Sequence, residues 1–199
     1  AGIYRNVWLV SVPQAHIVQD GISWKAEKTA ENAYKLDIQA ETIFHAKSKS
    51  SGENAANGIF EGYIRHTLFE AEKNGNQICC SKQIAETQKG VSMNAVYTDD
   101  KPYFFAENQE QFTKTVQTIG LENIKEWSSD APNLYLLKTE LLSKDGNPID
   151  SSIMRIGFCT CTFDADKGFF LNGKHLKIHG ACMHHDLGAL GSAFNKSAA

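Results

Sequence analysis

The chain has 199 residues, 42% of them hydrophobic and 22% charged, proportions typical of a globular protein and unlike those of disordered or fibrous chains. A formal net charge of −3 with no Lys/Arg cluster argues against a nucleic-acid backbone or an anionic membrane as the main partner. No apolar run approaches the roughly 18 residues needed to span a bilayer, and with neither an initiator Met nor a signal-peptide pattern, Ala1 reads as a cut and not as a natural start.

In chain order, the dominant signal is period-2 alternation between turn markers, the pattern of half-buried antiparallel strands. Tyr34, Leu36, Ile38, Ala40, Thr42 and Phe44 form the inward set of the clearest strand, with Lys35, Asp37, Gln39 and Glu41 outside. The Ser-, Lys- and Asn-rich stretch from Ala46 to Asn57 reads as a long surface loop. Phe60 to Glu72 and Gln77 to Ala85 flank Asn74-Gly75-Asn76, which predicts a hairpin. Val91, Met93, Ala95 and Tyr97 alternate again. A polar segment follows from Asp99 to Gln111, with a short helical candidate at Glu107 to Phe112. Strands are then expected at Thr113 to Ile119, Leu134 to Leu142 and Ile149 to Phe158, the last two joined by a turn containing Asp145-Gly146.

Seven or eight short strands between turn signals predict an all-β fold, an immunoglobulin-like antiparallel β-sandwich. Beyond it the pattern changes. Phe169-Phe170-Leu171, Asn172-Gly173 and His175 to Ile178 read as a small hairpin whose second strand continues into Gly180, with a small-residue tail at Asn195 to Ala199.

Candidate chemical groups are sparse, and nothing in the sequence points to a cofactor. Five cysteines, Cys79, Cys80, Cys159, Cys161 and Cys182, cannot all pair within the chain. Cys79 and Cys80 are adjacent and face opposite ways on a strand, and the compartment stays open. Cys159-x-Cys161 with His175, His179, Cys182, His184 and His185 has the residue types of a zinc cluster without its spacing. Asp164-x-Asp166-x-Gly168 lacks the downstream glutamate of a calcium loop and reads as a turn. Trp24, Trp127 and Tyr135 read as core or interface residues ahead of a sugar-stacking platform, and Glu122, Glu126 and Glu140 as solvated carboxylates.

Three segments together carry a family resemblance. They are Gly2-Ile3-Tyr4-Arg5-Asn6-Val7-Trp8-Leu9; Trp127-Ser128 with Pro132-Asn133-Leu134-Tyr135; and Gly168 to Lys174 running on to His184-His185-Asp186-Leu187-Gly188-Ala189-Leu190-Gly191. In order and spacing they resemble glycoside hydrolase family 2 of the beta-galactosidase type. The resemblance implies three parts: the end of a sugar-binding domain at residues 1–12, the sandwich at 13–158, and a linker with the first strand of a truncated TIM barrel at 159–199. It also implies that both catalytic glutamates lie outside this chain, that Leu176 to Cys182 is barrel strand one, that His184 contacts the sugar and that Asp186 supports the pocket. Its partners would be the neighbouring sugar-binding and barrel domains and, for the parent, a β-galactoside or related carbohydrate. The chain departs from the family pattern at Gly180-Ala181-Cys182-Met183, where Gly-Val-Asn-Arg is usual, and at Cys159, where arginine is frequent. An independent carbohydrate-binding module and an Ig-type adhesion module are the other readings.

Overall fold

The computed structural model describes residues 7–47, 58–74, 77–98 and 112–182, and every regular element in them is a strand. Of the loop expected from Ala46 to Asn57, Ala46 and Lys47 instead end a strand, and residues 48–57 lie outside the described residues, as do the turn residues Gly75 and Asn76 and the helical candidate's residues 107–111.

One strand organises the first layer. In β2 (Ala33–Lys47), Tyr34, Leu36, Ile38, Ala40 and Thr42 are all buried, because side chains two apart on an extended chain share a face. Phe44, at the end of the same set, is half-buried and packs on Phe60 with ring centroids 5.9 Å apart. Along one edge β2 pairs antiparallel with β1 (Ala15–Ala30). Along the other it pairs antiparallel with β5 (Thr113–Leu121), then in parallel with the last residues of β4 (Gln77–Thr98).

The second layer runs β4, β3 (Ile59–Asn74), β6 (Tyr135–Ser143), β7 (Pro148–Ile156), with each neighbour antiparallel. Leu36, Ile38 and Ile119 from the first layer and Ile64, Leu68, Leu137 and Leu141 from the second belong to one buried cluster. Three strands against four is the immunoglobulin-like sandwich expected from the alternation. The parallel join of Phe44–Lys47 to Ala95–Thr98 curls the two layers into one seven-stranded sheet, so the pairing is mixed at that corner and antiparallel elsewhere. A three-stranded meander follows: β8 (Cys161–Asp164), β9 (Gly168–Leu171) and β10 (Lys174–His175).

β1 answers to no expectation drawn from the sequence, and expectations for other elements are corrected. β1 carries no clean alternation because Val18 to Gly21 form a bulge: Ile17 pairs with Thr42 and Ile22 with Ala40, so five steps on β1 match two on β2 and the inward phase flips. The stretches Gln77 to Ala85 and Val91 to Tyr97 are one strand, since Gln88, Lys89 and Gly90 stay paired with Arg65, Ile64 and Tyr63. Glu140 is buried and not solvated; it accepts from Arg65 (2.8 and 3.1 Å), and its other oxygen lies 2.7 Å from Lys138. Burial alone would raise its pKa, but the hydrogen bonds from Lys138 and then Arg65 hold it below the ordinary carboxylate range.

Leu176 to Cys182 forms no strand. Leu176 N–H donates to the Phe169 carbonyl, and from Lys177 to Cys182 every residue is exposed and outside any ladder. A strand is held by hydrogen bonds to its neighbours, and a first strand of a parallel barrel takes those neighbours from chain segments far along the sequence.

Two outcomes test the register and the core. Ile38→Ala should cost about 2–5 kcal/mol in urea denaturation, whereas Gln39→Ala, on the outer face, should stay within about 0.5 kcal/mol; the reverse order would place the register one residue off. His66 is fully buried between Ile64 and Leu68 on the inner face of β3, with Nδ1 2.9 Å from Thr139 Oγ1 and no hydrogen-bond partner at Nε2. Burial pushes its pKa down from 6.5 to about 4. The unfolded chain therefore takes up this proton first as pH falls. The His66 contribution is complete above about pH 6.5 and is lost at about 1.4 kcal/mol per unit down to about pH 4. His66→Leu should flatten that part of the stability profile relative to the unsubstituted chain.

Candidate functional site

Two of the family-like segments, the one at Trp127 and the one at Gly168 to Lys174, meet where the chain leaves the sandwich. Phe158 follows β7 and is fully buried, with its ring 5.2 Å from Tyr34, 5.3 Å from Tyr135 and 6.5 Å from Trp24 by centroid. Its carbonyl accepts the Trp127 N–H at 2.7 Å. Immediately before it, Gly157 passes so close to Trp127 that a Cβ there would sit 3.3 Å from the tryptophan Cβ. The half-buried Trp127 thus lies along the backbone of the exit segment.

The loop from Trp127 to Tyr135 is held by its own polar side chains. Ser128 N–H donates to the Ala131 carbonyl (2.9 Å) and Ser128 Oγ accepts the Ala131 N–H (3.0 Å), and Trp127 and Pro132 form an isolated bridge. Asn133 Nδ2 donates to the Glu126 carbonyl at 2.9 Å. Tyr135, first in β6, is buried, and its hydroxyl accepts the Lys125 N–H at 2.9 Å. A buried Tyr at the start of this strand, bonded back to upstream backbone, is the tyrosine corner of immunoglobulin-like sandwiches. The Asn-Leu-Tyr part of the motif therefore has a structural job.

Glu126, expected to be solvated, is tied into this corner. Its Oε1 accepts from Lys28 Nζ (2.6 Å) and Tyr34 Oη (2.7 Å). Burial would raise the Glu126 pKa, but those two hydrogen bonds outweigh it and the group stays below its ordinary value. Burial, then Glu126, pushes the Tyr34 phenol up, so it remains a donor. Trp24, the other expected interface aromatic, is 37% exposed beside this cluster.

Asn172 fastens the meander to the corner. Its Oδ1 accepts the Thr160 N–H (2.8 Å), its Nδ2 donates to the Trp127 carbonyl (2.9 Å), and its own N–H donates to the Thr160 carbonyl (2.8 Å). Asn172 and Gly173 both have positive φ, 50° and 75°, which makes the two-residue Asn-Gly turn a type I′ hairpin loop, as the dipeptide predicts. Asp164 Oδ1 accepts from Asp166 and Lys167 N–H, so the acidic segment is an ordinary turn.

His184 and Asp186, the expected sugar-contacting residues, lie outside the described residues, as do His185 and the segments Gly2 to Asn6 and Leu187 to Gly191. Val7, Trp8, Leu9 and Val10 are described and strongly exposed, at 74, 78, 101 and 63%. Among the described residues no group of three or more His, Cys, Asp or Glu is placed to hold a metal, so Cys159, Cys161, His175, His179 and Cys182 are not brought together as a ligand set. Open grooves occur among the described residues. One, of about 500 Å³, is lined by Tyr34, Ile84, Leu121 and Glu122; the other, of about 400 Å³, by Glu70, Ile78, Lys125, Asn133 and Tyr135. Each holds a single carboxylate, so neither offers the carboxyl pair of a retaining glycosidase.

The fold, the tyrosine corner and its fastening define an immunoglobulin-like domain with an ordered C-terminal meander. Residues 34–158 match the family model for glycosyl hydrolases family 2, and the chain belongs to that family. A beta-galactosidase of Bacteroides ovatus is 28% identical over 197 residues, covering 99% of this chain and 19% of that protein. A beta-glucuronidase of Bacteroides fragilis is 52% identical over 88 residues, covering 44% of this chain and 12% of its own length. The structure of Bacteroides uniformis beta-glucuronidase superposes with a TM-score of 0.75 at 24% identity, over 98% of this chain and 20% of that one, a likeness of fold. The chain thus spans about a fifth of the length of the relatives that align along all of it.

Asn172→Gly keeps the positive φ available and removes only the side-chain bonds to Thr160 and Trp127. It should cost about 1–3 kcal/mol of protection in the meander, read as faster amide exchange at Thr160 and Phe169 to Leu171 with little change in the sandwich strands.

Proposed function

We propose that this chain is the non-catalytic scaffold domain of a beta-galactosidase-type, retaining glycosidase, holding a sugar-binding domain against a TIM barrel. The observation that carries it is the alignment with the Bacteroides ovatus beta-galactosidase along 99% of this chain and 19% of that protein. The geometry supports it: Glu126 and Glu140 both neutralise cations, Lys28 for the first and Arg65 and Lys138 for the second, as structural carboxylates do. Retaining hydrolysis needs two carboxyl groups about 5–5.5 Å apart across the anomeric carbon. In this reading both belong to the barrel, beyond residue 199, and no cofactor is required.

Residues 1–12 would end the sugar-binding domain, 13–158 form the scaffold and 159–199 lead into the barrel. Two observations support this division: the exposed apolar stretch Val7 to Val10, a surface for a neighbour to cover, and the end of the family match at Phe158, the last core residue before the meander. His184 would contact sugar and Asp186 support the pocket once the barrel surrounds them.

A beta-glucuronidase parent is the second reading, favoured by the 52% identity over 88 residues to the Bacteroides fragilis enzyme. The two differ in the substrate of the parent and not in the role of this domain. The purified 199-residue chain should turn over neither nitrophenyl β-galactoside nor nitrophenyl β-glucuronide. Turnover abolished by Glu126→Gln or Glu140→Gln would refute the scaffold reading, and saturable galactoside binding in calorimetry would favour a carbohydrate-binding module.

A further inference from the structure

We infer that Asn172 is a self-modification site, an Asn-Gly amide whose deamidation the fold holds off and whose product irreversibly loosens the meander from the sandwich. The inference rests on the chemistry of this chain and not on the reading of its parent.

In an Asn-Gly pair the backbone nitrogen that follows the asparagine is a nucleophile for its side-chain amide. The Gly173 nitrogen forms a bond to Asn172 Cγ and gives up its proton, the Cγ–Nδ2 bond breaks, and ammonia leaves. Water then opens the cyclic imide at either carbonyl, leaving an aspartate or an isoaspartate. Nothing is oxidised or reduced, and solvent water is the co-reactant. Gly173 offers an unhindered nitrogen because it has no side chain, and the space where its Cβ would stand is open. Asn32 and Asn123 share the positive φ of Asn172 but precede Ala33 and Ile124, whose Cβ atoms stand beside the nitrogen.

The native turn holds the amide away from that attack. Asn172 Oδ1 accepts the Thr160 N–H at 2.8 Å and Nδ2 donates to the Trp127 carbonyl at 2.9 Å, so both ends of the amide are tied to segments outside the turn. Turning the amide toward Gly173 breaks both bonds. The Asn172 N–H is bonded to the Thr160 carbonyl as well, so the side chain comes free as the meander lifts from the exit segment. Opening of the meander is therefore the gate to the chemistry. The product does not remake the grip. An aspartate has no N–H to give to Trp127 and sets a negative oxygen against that carbonyl. An isoaspartate routes the backbone through the former side chain and adds a methylene to a two-residue turn. In either product Trp127 loses its donor, and the change runs one way.

The sequence supplies a clean readout, because trypsin releases residues 168–174 as one peptide in which Asn172 is the only amide side chain. The 199-residue chain is held at mildly alkaline pH, folded and in guanidinium chloride, and mass spectrometry follows conversion of that amide to a carboxyl. Deamidation should run at least about tenfold slower in the folded chain, with a protection factor equal to that of the Phe169 to Leu171 amide protons, since one local opening governs both. Equal rates in the two states, or protection far below that of the β9 amides, would overturn the gate. Asn172→Asp makes the aspartyl product directly. It should speed amide exchange at Thr160 and Phe169 to Leu171 at least about tenfold while β2 and β6 stay protected. Unchanged exchange in β9 would overturn the release. The comparison of folded and unfolded chain uses no variant, so it decides the gate whatever the stability of Asn172→Asp.

Discussion

The burial of Phe158 is the constraint on which the rest of the molecule turns. This one ring, fully excluded from solvent, meets Tyr34 of β2, Tyr135 of β6 and Trp24 of β1, so it closes the lower end of both layers at once. Burying a Phe contributes about 1.5–3 kcal/mol, and aromatic pairs in tilted and edge-on geometry add to it. The same residue presents its carbonyl to Trp127. Core closure and the fixing of the exit segment are therefore one event. The Lys28–Glu126–Tyr34 bonds and the tyrosine corner then stiffen the loop that Trp127 starts.

Under the proposed scaffold reading, that arrangement accounts for how a domain whose described grooves hold no paired carboxylates would serve a glycosidase. Catalysis needs reacting groups held within fractions of an ångström, and residues remote from the chemistry supply that rigidity. The polar groups of the corner are spent on backbone and on each other: Asn133 on Glu126, Asn172 on Trp127 and Thr160, Glu126 on Lys28 and Tyr34. A segment fastened in this way transmits orientation from the sandwich to whatever follows residue 175.

The sequence made the sandwich legible wherever one face of a strand is buried and the other wet. In β2 and β5 the burial pattern alternates as the residues do, so strand and register could both be read. It was illegible where backbone geometry intervened. The bulge at Val18 to Gly21 reverses the phase of β1, and the exposed residues from Gln77 to Gln83 give the start of β4 no buried face to mark it as continuous with the rest. The buried state of Glu140 was hidden because its partners, Arg65 and Lys138, lie on a neighbouring strand and two residues away; only the β3–β6 register brings all three together. The motif residues Trp127, Asn133 and Tyr135 were recognisable, yet their job, a self-bonded corner, is a matter of hydrogen bonds that spacing does not reveal. For Leu176 to Cys182 the family resemblance implied a strand, but a strand needs partners as well as a sequence.

Order extends through the corner and the meander and stops after Leu176, beyond which the described residues Lys177 to Cys182 are exposed and outside any ladder. Hydrogen–deuterium exchange on the 199-residue chain, followed by mass spectrometry, tests it directly. Amides of β2 and β6 should exchange only through global unfolding, those of β8 and β9 through a smaller local opening, and those of Lys177 to Cys182 at the rate of an unprotected peptide. Slow exchange through Lys177 to Cys182, matched to that of β2 in a dilute monomer, would show that this segment orders without neighbouring strands and would contradict the account.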